Sequence, residues 1–292
     1  MVAALQCAGN RRKEMATLTG KKVSGVLWED AVISNCSWGG VRLRDLLMRA
    51  GVTLRDDLHV QFASYAALCE DDDYYGSSVP LAKAMNLDDQ VLIAWEMNSN
   101  PLTPAHGGLL RVVVPGYLGA RWVKWIDTIT IAAEETPNFY MQRDYKVLPP
   151  EIDTKALAAS VWSKYPAMTS LPLNSVIATV IPTLSSIFVK GYAVPCFSDP
   201  YVEPKDTLYN NVSAIEVSMD DGKIWHPARI TYQQGPWSWT LWEVELAVLP
   251  GQSVAEVCSR AIDKRGNIQP KEAIWNLRGV AWNSWGRKKV DV

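Results

Sequence analysis

Leu148-Pro149-Pro150-Glu151-Ile152-Asp153 and then Tyr165-Pro166-Ala167-Met168-Thr169-Ser170-Leu171-Pro172-Leu173-Asn174-Ser175 divide the chain into two textures. Proline fixes φ and removes a backbone donor, so neither a helix interior nor a central strand accommodates this spacing. Residues 148–174 therefore read as a join, with the boundary near 168. Upstream the pattern is mixed. Val41–Ala50 has helical amphipathicity and is stopped by Gly51, and Pro80–Met85 reads as a short helix with proline in its first turn. His59–Phe62, Val91–Trp95, Leu110–Val114 and Ile126–Ile131 read as strands. Downstream lie only short strand-like runs: Ser175–Ile181, Ile187–Ala193, Ile215–Met219, Arg229–Tyr232, Thr240–Val248 and Ala255–Asp263. Asp220-Asp221-Gly222 between two of them is a hairpin signal. The expectation is a mixed α+β domain over residues 1–168 followed by an all-β antiparallel sandwich over 169–292.

Composition limits the function classes. The 292 residues are 48% hydrophobic and 21% charged, with a formal net charge of −2. No overall positive field points to a nucleic-acid partner, so any anion site must be built by local clustering. No apolar run reaches the ~18 residues of a membrane span, and the N-terminus lacks the cationic start of a secretory signal. The five cysteines are widely spaced, with no CxxC, which argues for a reducing, intracellular compartment and against a disulfide framework. Thirteen tryptophans against four phenylalanines are unusual. Their N–H groups need partners, which suits pocket walls and domain seams.

Four clusters could carry chemistry. In Leu5-Gln6-Cys7-Ala8-Gly9-Asn10-Arg11-Arg12 a thiol is followed closely by two guanidiniums, a field that favours the thiolate. Gly9 allows a turn that could bring the arginine heads back over the sulfur. Taken alone, a buried small hydrophobe beside solvated arginines is the plainer account of Cys7. His106-Gly107-Gly108-Leu109-Leu110-Arg111 and Gly119-Ala120-Arg121-Trp122-Val123-Lys124-Trp125 place glycines before cations, the logic of a phosphate cradle. Each of these residues is individually more often structural; their crowding shifts the balance toward a ligand site. Arg143-Asp144-Tyr145-Lys146 sets a phenol among charges, and Trp275-Asn276-Leu277-Arg278-Gly279-Val280 puts one arginine inside what reads as an apolar strand. A charge there must be paired or used. The acidic run Glu70–Asp73 reads as a solvated loop.

In this order and at these separations the motifs resemble the molybdenum-cofactor sulfite oxidase family, which also contains the assimilatory nitrate reductases. The residues that carry the resemblance are Cys7–Arg12, Trp38-Gly39-Gly40, Tyr75-Gly76 with Pro80-Leu81, His106-Gly107 with Arg111, Gly119–Arg121 with Lys124 and Trp125, Asp144–Lys146, and Trp275–Gly279. The resemblance implies a molybdopterin-binding domain followed by an immunoglobulin-like dimerisation domain, hence a homodimer. It implies Cys7 as the protein thiolate on molybdenum, with His106, Arg111, Arg121, Trp122, Val123 and Lys124 holding the pterin and its phosphate. Arg12, Trp28, Tyr145 and Arg278 fall where the family lines its oxyanion pocket. The implied reaction is oxygen-atom transfer to sulfite, giving sulfate, with electrons leaving to an outside acceptor, a cytochrome or oxygen.

Arg278 and Val280 follow the sulfite pattern rather than the nitrate one, and no haem or flavin domain follows. The alternatives are a nitrate reductase homologue and a shortened, cofactor-free dimerising paralogue. Met1 lies six residues before Cys7, where the family carries further molybdenum-domain sequence and, in some members, a haem domain. The chain thus reads as N-terminally shortened, with the mitochondrial or cytoplasmic address left open.

Overall fold

A computed structural model describes residues 1–197, 211–248, 254 and 256–290. In the first half, eight strands occur among the described residues: β1 (Val2–Gln6), β2 (Ile33–Arg42), β3 (His59–Ser64), β4 (Tyr75–Pro80), β5 (Leu92–Met97), β6 (Asn100–Pro101), β7 (Arg111–Val113) and β8 (Thr128–Ala132). They form two antiparallel sheets. One runs β1-β2-β5, with β6 and β7 both paired to β5, and the other runs β4-β3-β8. Helices α1 (Arg12–Thr19), α2 (Leu43–Arg49), α3 (Leu81–Met85), α4 (Phe139–Gln142) and α5 (Lys155–Ala159) complete the mixed half.

The four strands expected here are present, each shifted by a few residues. Strands β1, β2 and β4 were not legible. β2 contains Ser34, Asn35, Ser37, Gly39 and Gly40, residues of low strand propensity that partner pairing overrides. Gly40 is required there: a Cβ would stand 2.2 Å from the carbonyl oxygen of Ile93 on β5. The expected helix at 41–50 starts later, because Val41 and Arg42 still pair with Ile93 and Leu92. It ends as expected, with Gly51 at φ +83° donating to the Met48 carbonyl. Pro80 closes β4 and precedes α3 rather than entering its first turn.

The second half is mostly β. Its strands are β9 (Asn174–Pro182), β10 (Ser186–Val194), β11 (Val212–Ser218), β12 (His226–Pro227), β13 (Arg229–Gln233), β14 (Thr240–Ala247), β15 (Glu256–Asp263) and β16 (Gly286–Lys289). Two four-stranded antiparallel sheets, β13-β14-β10-β9 and β12-β11-β15-β16, share a core that includes Ile177, Val189, Ile215, Val217, Trp242, Val257 and Ala261. All six expected strands occur; Ala255, the first residue of the last one, lies outside the described residues. Asp221 and Gly222 both take positive φ in the turn after β11, as a tight hairpin demands.

The two halves are not separate bodies joined at a linker. Val176, Tyr192, Val194, Phe197 and Trp237 belong to the same core cluster as Val60, Phe62 and Val112 of the first half. After β15 the chain leaves the sandwich, and Trp275, Leu277 and Trp282 pack on Met15, Leu148 and Ala158. This return corrects the strand expected around Arg278. Residues 277–278 form a turn, because the Asn276 side chain accepts from the Val280 N–H (3.1 Å) and donates to the Val280 carbonyl (2.8 Å), while Gly279 takes φ +60°.

Arg11 fastens this seam. It is buried, and its guanidinium donates to Glu14 (2.9 and 2.6 Å), to Asn174 Oδ1 (2.7 Å) and to the carbonyls of Ser284 (2.7 Å) and Trp285 (2.9 Å). Removing one partner of such a network leaves the others unpaired, at a cost of about 3 kcal/mol or more. Arg11→Met should therefore lower the unfolding free energy by that amount, seen in equilibrium urea unfolding as a lower midpoint with an unchanged slope.

Candidate functional site

Cys7 stands just beyond β1, in a turn pinned on both sides. Its N–H donates to the Val32 carbonyl (3.0 Å), its carbonyl accepts from Asn10 N–H (3.1 Å), and its Sγ accepts from Gly9 N–H at 3.4 Å. Arg11, at φ +65°, turns the chain into α1. Only one of the two expected arginines comes back to the turn. Arg12 folds over Gly9, where a Cβ would lie 2.4 Å from its Nη2, so glycine is what admits the guanidinium. Arg12 then donates from Nε to the Gly279 carbonyl (2.9 Å) and from Nη1 to the Val26 carbonyl (2.9 Å). Arg11 points into the seam already described.

The Cys7 side chain lines a cleft of about 680 Å³. Beside it on the walls are His106, Arg111, Trp122, Lys124, Trp125, Tyr145, Tyr75 and Cys69, and among the described residues none that lines it is a carboxylate. Around Cys7 the tertiary fold gathers Arg12, Tyr145, Asp144 and Arg278 from three separate segments. Arg278 pairs with Asp144 twice, Nη2 to Oδ2 at 2.8 Å and Nε to the backbone carbonyl at 3.0 Å. Burial lowers the Arg12 pKa, with Arg278 adding to the effect and Cys7 opposing it. Burial also raises the Tyr145 pKa, reinforced by Cys7 and Asp144. Tyr145 is therefore a protonated phenol at neutral pH, able to donate to an anion. Asp144 is pushed up by burial and pulled back by Arg278.

Farther along the wall Arg111 and Lys124 form a second cationic group. Arg111 is buried and stacked on Trp38, and it donates to the carbonyls of His106 (2.9 Å) and Trp122 (3.4 Å). Its Nε is buried without a partner. Burial lowers its pKa to about 10, far enough above neutrality to keep the charge. Lys124 is lowered by burial and then by Arg111, and its ammonium reaches the Ala105 carbonyl at 3.0 Å. Among the described residues neither cation has a carboxylate partner. His106 is exposed, and its Nδ1 is 2.6 Å from Thr103 Oγ1.

Arg12 and Arg278 stand near Cys7 without lining this cleft, and three further predicted site residues stand elsewhere. Arg121 is fully buried and bonds the carbonyls of Met168 (2.8 Å), Tyr140 (3.1 Å) and Tyr145 (3.5 Å), so it holds the Tyr145 segment from behind. Val123 is a core side chain, and Trp28 is 42% exposed and does not line the cleft. The sequence reading assigned no role to Asp144, Tyr75 or Cys69. Asp144 could have been suspected as the acidic neighbour of Tyr145, whereas only the fold places Tyr75 and Cys69 on the wall.

These residues suit a cofactor that brings most of its own metal ligands. Among the described residues no three His, Cys, Asp or Glu side chains converge as a cage. Two thiols, Cys7 and Cys69, face the cleft, and the unpartnered Arg111 Nε and the uncompensated Lys124 offer donors to an anionic group. The Arg111→Met variant should retain about tenfold less cofactor, since removal of a supporting polar contact typically costs 10–100-fold. Molybdenum and pterin analysis of the purified protein measures this.

The Oxidoreductase molybdopterin binding domain description matches residues 1–140, and the Mo-co oxidoreductase dimerisation domain matches 210–292. The chain is 36% identical to the sulfite oxidase of Arabidopsis thaliana, over 98% of this chain and 74% of that one. It is likewise 36% identical to the nitrate reductase [NAD(P)H] of Hordeum vulgare, over 99% of this chain but 33% of that one. The chain spans about half the length of the mammalian sulfite oxidases it matches. The sulfane dehydrogenase SoxCD of Paracoccus pantotrophus shares the fold, with a TM-score of 0.74 at 24% identity, covering 100% of this chain and 71% of that one. A thiol-bearing, carboxylate-free cleft and a mostly-β partner domain thus coincide with matches along both halves, and the chain belongs to the sulfite oxidase family of molybdenum oxidoreductases.

Proposed function

We propose that this chain oxidises sulfite to sulfate, with Cys7 as the protein thiolate on a molybdenum–molybdopterin cofactor. The observation that carries the reading is the cleft itself: two thiols, an imidazole, a guanidinium and an ammonium line it, and among the described residues no carboxylate does. Such a surface repels cations and holds an anionic cofactor and an anionic substrate. When bound, the cofactor supplies the oxygen-atom transfer and the two-electron redox change.

The chain supplies placement and charge. Lys124 and Arg111 hold the phosphate and polar edge of the pterin, beside His106 and Trp122; Arg121 and Val123 support that wall from behind. Arg12 and Arg278 draw the substrate oxyanion toward the Cys7 end, and charge-assisted bonds from both orient it. The Tyr145 hydroxyl donates to one substrate oxygen and orients it, keeping its own proton at neutral pH. Trp28 would contact the substrate from the segment that carries Val26, whose carbonyl Arg12 bonds.

Sulfite and sulfate carry more charge than nitrate, so the pair Arg12 and Arg278 favours the sulfur anion. The identity to nitrate reductase equals that to sulfite oxidase, which makes this cation the discriminating feature. We further propose an immunoglobulin-like topology for the sandwich, a domain boundary at 168/169, a homodimer, an outside acceptor (cytochrome or oxygen), and an intracellular address.

Sulfite-dependent reduction of an artificial one-electron acceptor by the purified chain tests the activity. Turnover above the enzyme-free rate, with molybdenum bound, is the expected result. Oxidation of a reduced dye by nitrate, with no response to sulfite, would establish the nitrate reading. A dimer with neither activity and no molybdenum would establish the cofactor-free one.

A further inference from the structure

Tyr192 lies on β10 in the second half, yet its hydroxyl ends inside the Cys7 turn. It accepts from Asn10 Nδ2 at 2.7 Å and donates to the Asp30 carbonyl at 2.6 Å. Asn10 and Tyr192 are both buried. The orientation of the Asn10 amide is forced, because its Oδ1 must face a pure donor, the Val32 N–H, at 3.1 Å. That leaves Nδ2 toward the phenol, so the phenol must accept from Asn10 and spend its own proton on Asp30.

Val32 is the other half of the device. Its carbonyl accepts the Cys7 N–H (3.0 Å), while the Asn10 N–H returns to the Cys7 carbonyl (3.1 Å). Cys7, Asn10 and Val32 therefore form a closed polar circuit whose remaining donor, Asn10 Nδ2, is taken up among the described residues by Tyr192. Asn35 on β2 makes a second link across the same seam, accepting from the Trp239 N–H at 3.2 Å, but it does not touch the Cys7 turn.

We infer that Tyr192 is a positioning residue for Cys7: the second domain fixes where the sulfur points by locking the Asn10 amide. The inference rests on the reading of Cys7 as the cofactor ligand for its functional meaning, but not for its geometry. Without the phenol hydroxyl, Asn10 Nδ2 and the Asp30 carbonyl lose a buried partner together. The Cys7 turn then opens more often, while the sandwich that carries Tyr192 keeps its core.

The test uses the full chain expressed without molybdenum cofactor, so that the Cys7 thiol can be titrated. Iodoacetamide alkylation is followed by mass spectrometry at Cys7 and, as an internal reference, at Cys258, which is buried in the sandwich. Tyr192→Phe should speed alkylation of Cys7 about tenfold, the weight of the one of its two lost hydrogen bonds that holds Asn10, and leave Cys258 unchanged. Asn10→Ala should do the same, and the double variant should be no faster than Asn10→Ala alone, because Tyr192 acts through Asn10. Equal acceleration at both cysteines would show general loosening and overturn the inference, as would no change at Cys7 or fully additive effects. In the loaded protein Tyr192→Phe should lower molybdenum content in step with Cys7 exposure. If alkylation responds as expected but molybdenum content does not, the positioning stands and the ligand role of Cys7 fails.

Discussion

Cys7→Ser is expected to leave a folded protein that holds no molybdenum and turns over sulfite no faster than the enzyme-free reaction. A serine hydroxyl stays protonated at neutral pH and is a hard donor, whereas a thiolate is the soft ligand that a thiol-bound metal needs. The change is nearly isosteric, and Cys7 is only partly buried with one weak contact from the Gly9 N–H. Unfolding should therefore shift by no more than about 1 kcal/mol. Two controls give the experiment its meaning. Cys69→Ser alters another thiol on the same cleft wall, and Cys196→Ser alters one that does not line it; both should keep metal and turnover. Comparable loss in either control would take the metal away from Cys7. Metal analysis, the charge-transfer absorption of the loaded protein and a urea curve on each variant are sufficient.

Arg278→Gln is expected to raise the KM for sulfite by about 10–100-fold, the equivalent of the 1.5–3 kcal/mol carried by a charge-assisted hydrogen bond. Part of that loss arises indirectly. Asp144 is neutralised at present by the 2.8 Å pair with Arg278, and burial already pushes its carboxyl up. Deprived of its partner, the carboxylate stands near Arg12 and competes with the substrate for that guanidinium. Adding Asp144→Asn to Arg278→Gln should therefore recover part of the lost kcat/KM, although it removes a further charged residue. The sign of the pH effect follows. Asp144 is anionic above its pKa and neutral below it, so the single variant should be penalised least on the acid side, and the double variant should lose that dependence. A double variant worse than the single one would mean that Asp144 itself contributes to the pocket rather than restraining it. Steady-state kinetics across pH on the two variants and the parent decide between these outcomes.

How much of this was readable before folding differs from segment to segment. The sandwich strands were visible because each buries one face against a shared core, as Ile215 and Val217 do on β11, and such alternation is a local property. The hairpin at 221–222 was visible for an equally local reason, the positive φ that glycine supplies. β2 was invisible because its pairing with β1 and β5 comes from partners far along the chain, not from its own glycine- and serine-rich residues.

The candidate site divides in the same way. Cys7 beside Arg12, and the grouping of His106, Arg111 and Lys124, lie within short stretches, and a glycine-before-cation pattern exposes them to inspection. By itself the sequence determined the α+β then β order, the cysteine with its guanidiniums and the family. The tertiary structure decided which arginine serves which purpose. Arg11 and Arg12 are neighbours with the same side chain, yet one reaches Asn174 and Ser284 in the seam and the other reaches Gly279 beside the cleft. It also made the Arg278 segment a turn ion-paired to Asp144, and it brought the Tyr192 hydroxyl to Asn10 across the seam. The physical reason is range: propensity and periodicity act over a few residues, whereas the partner of a buried charge or amide is whatever the packed chain sets within about 3 Å of it.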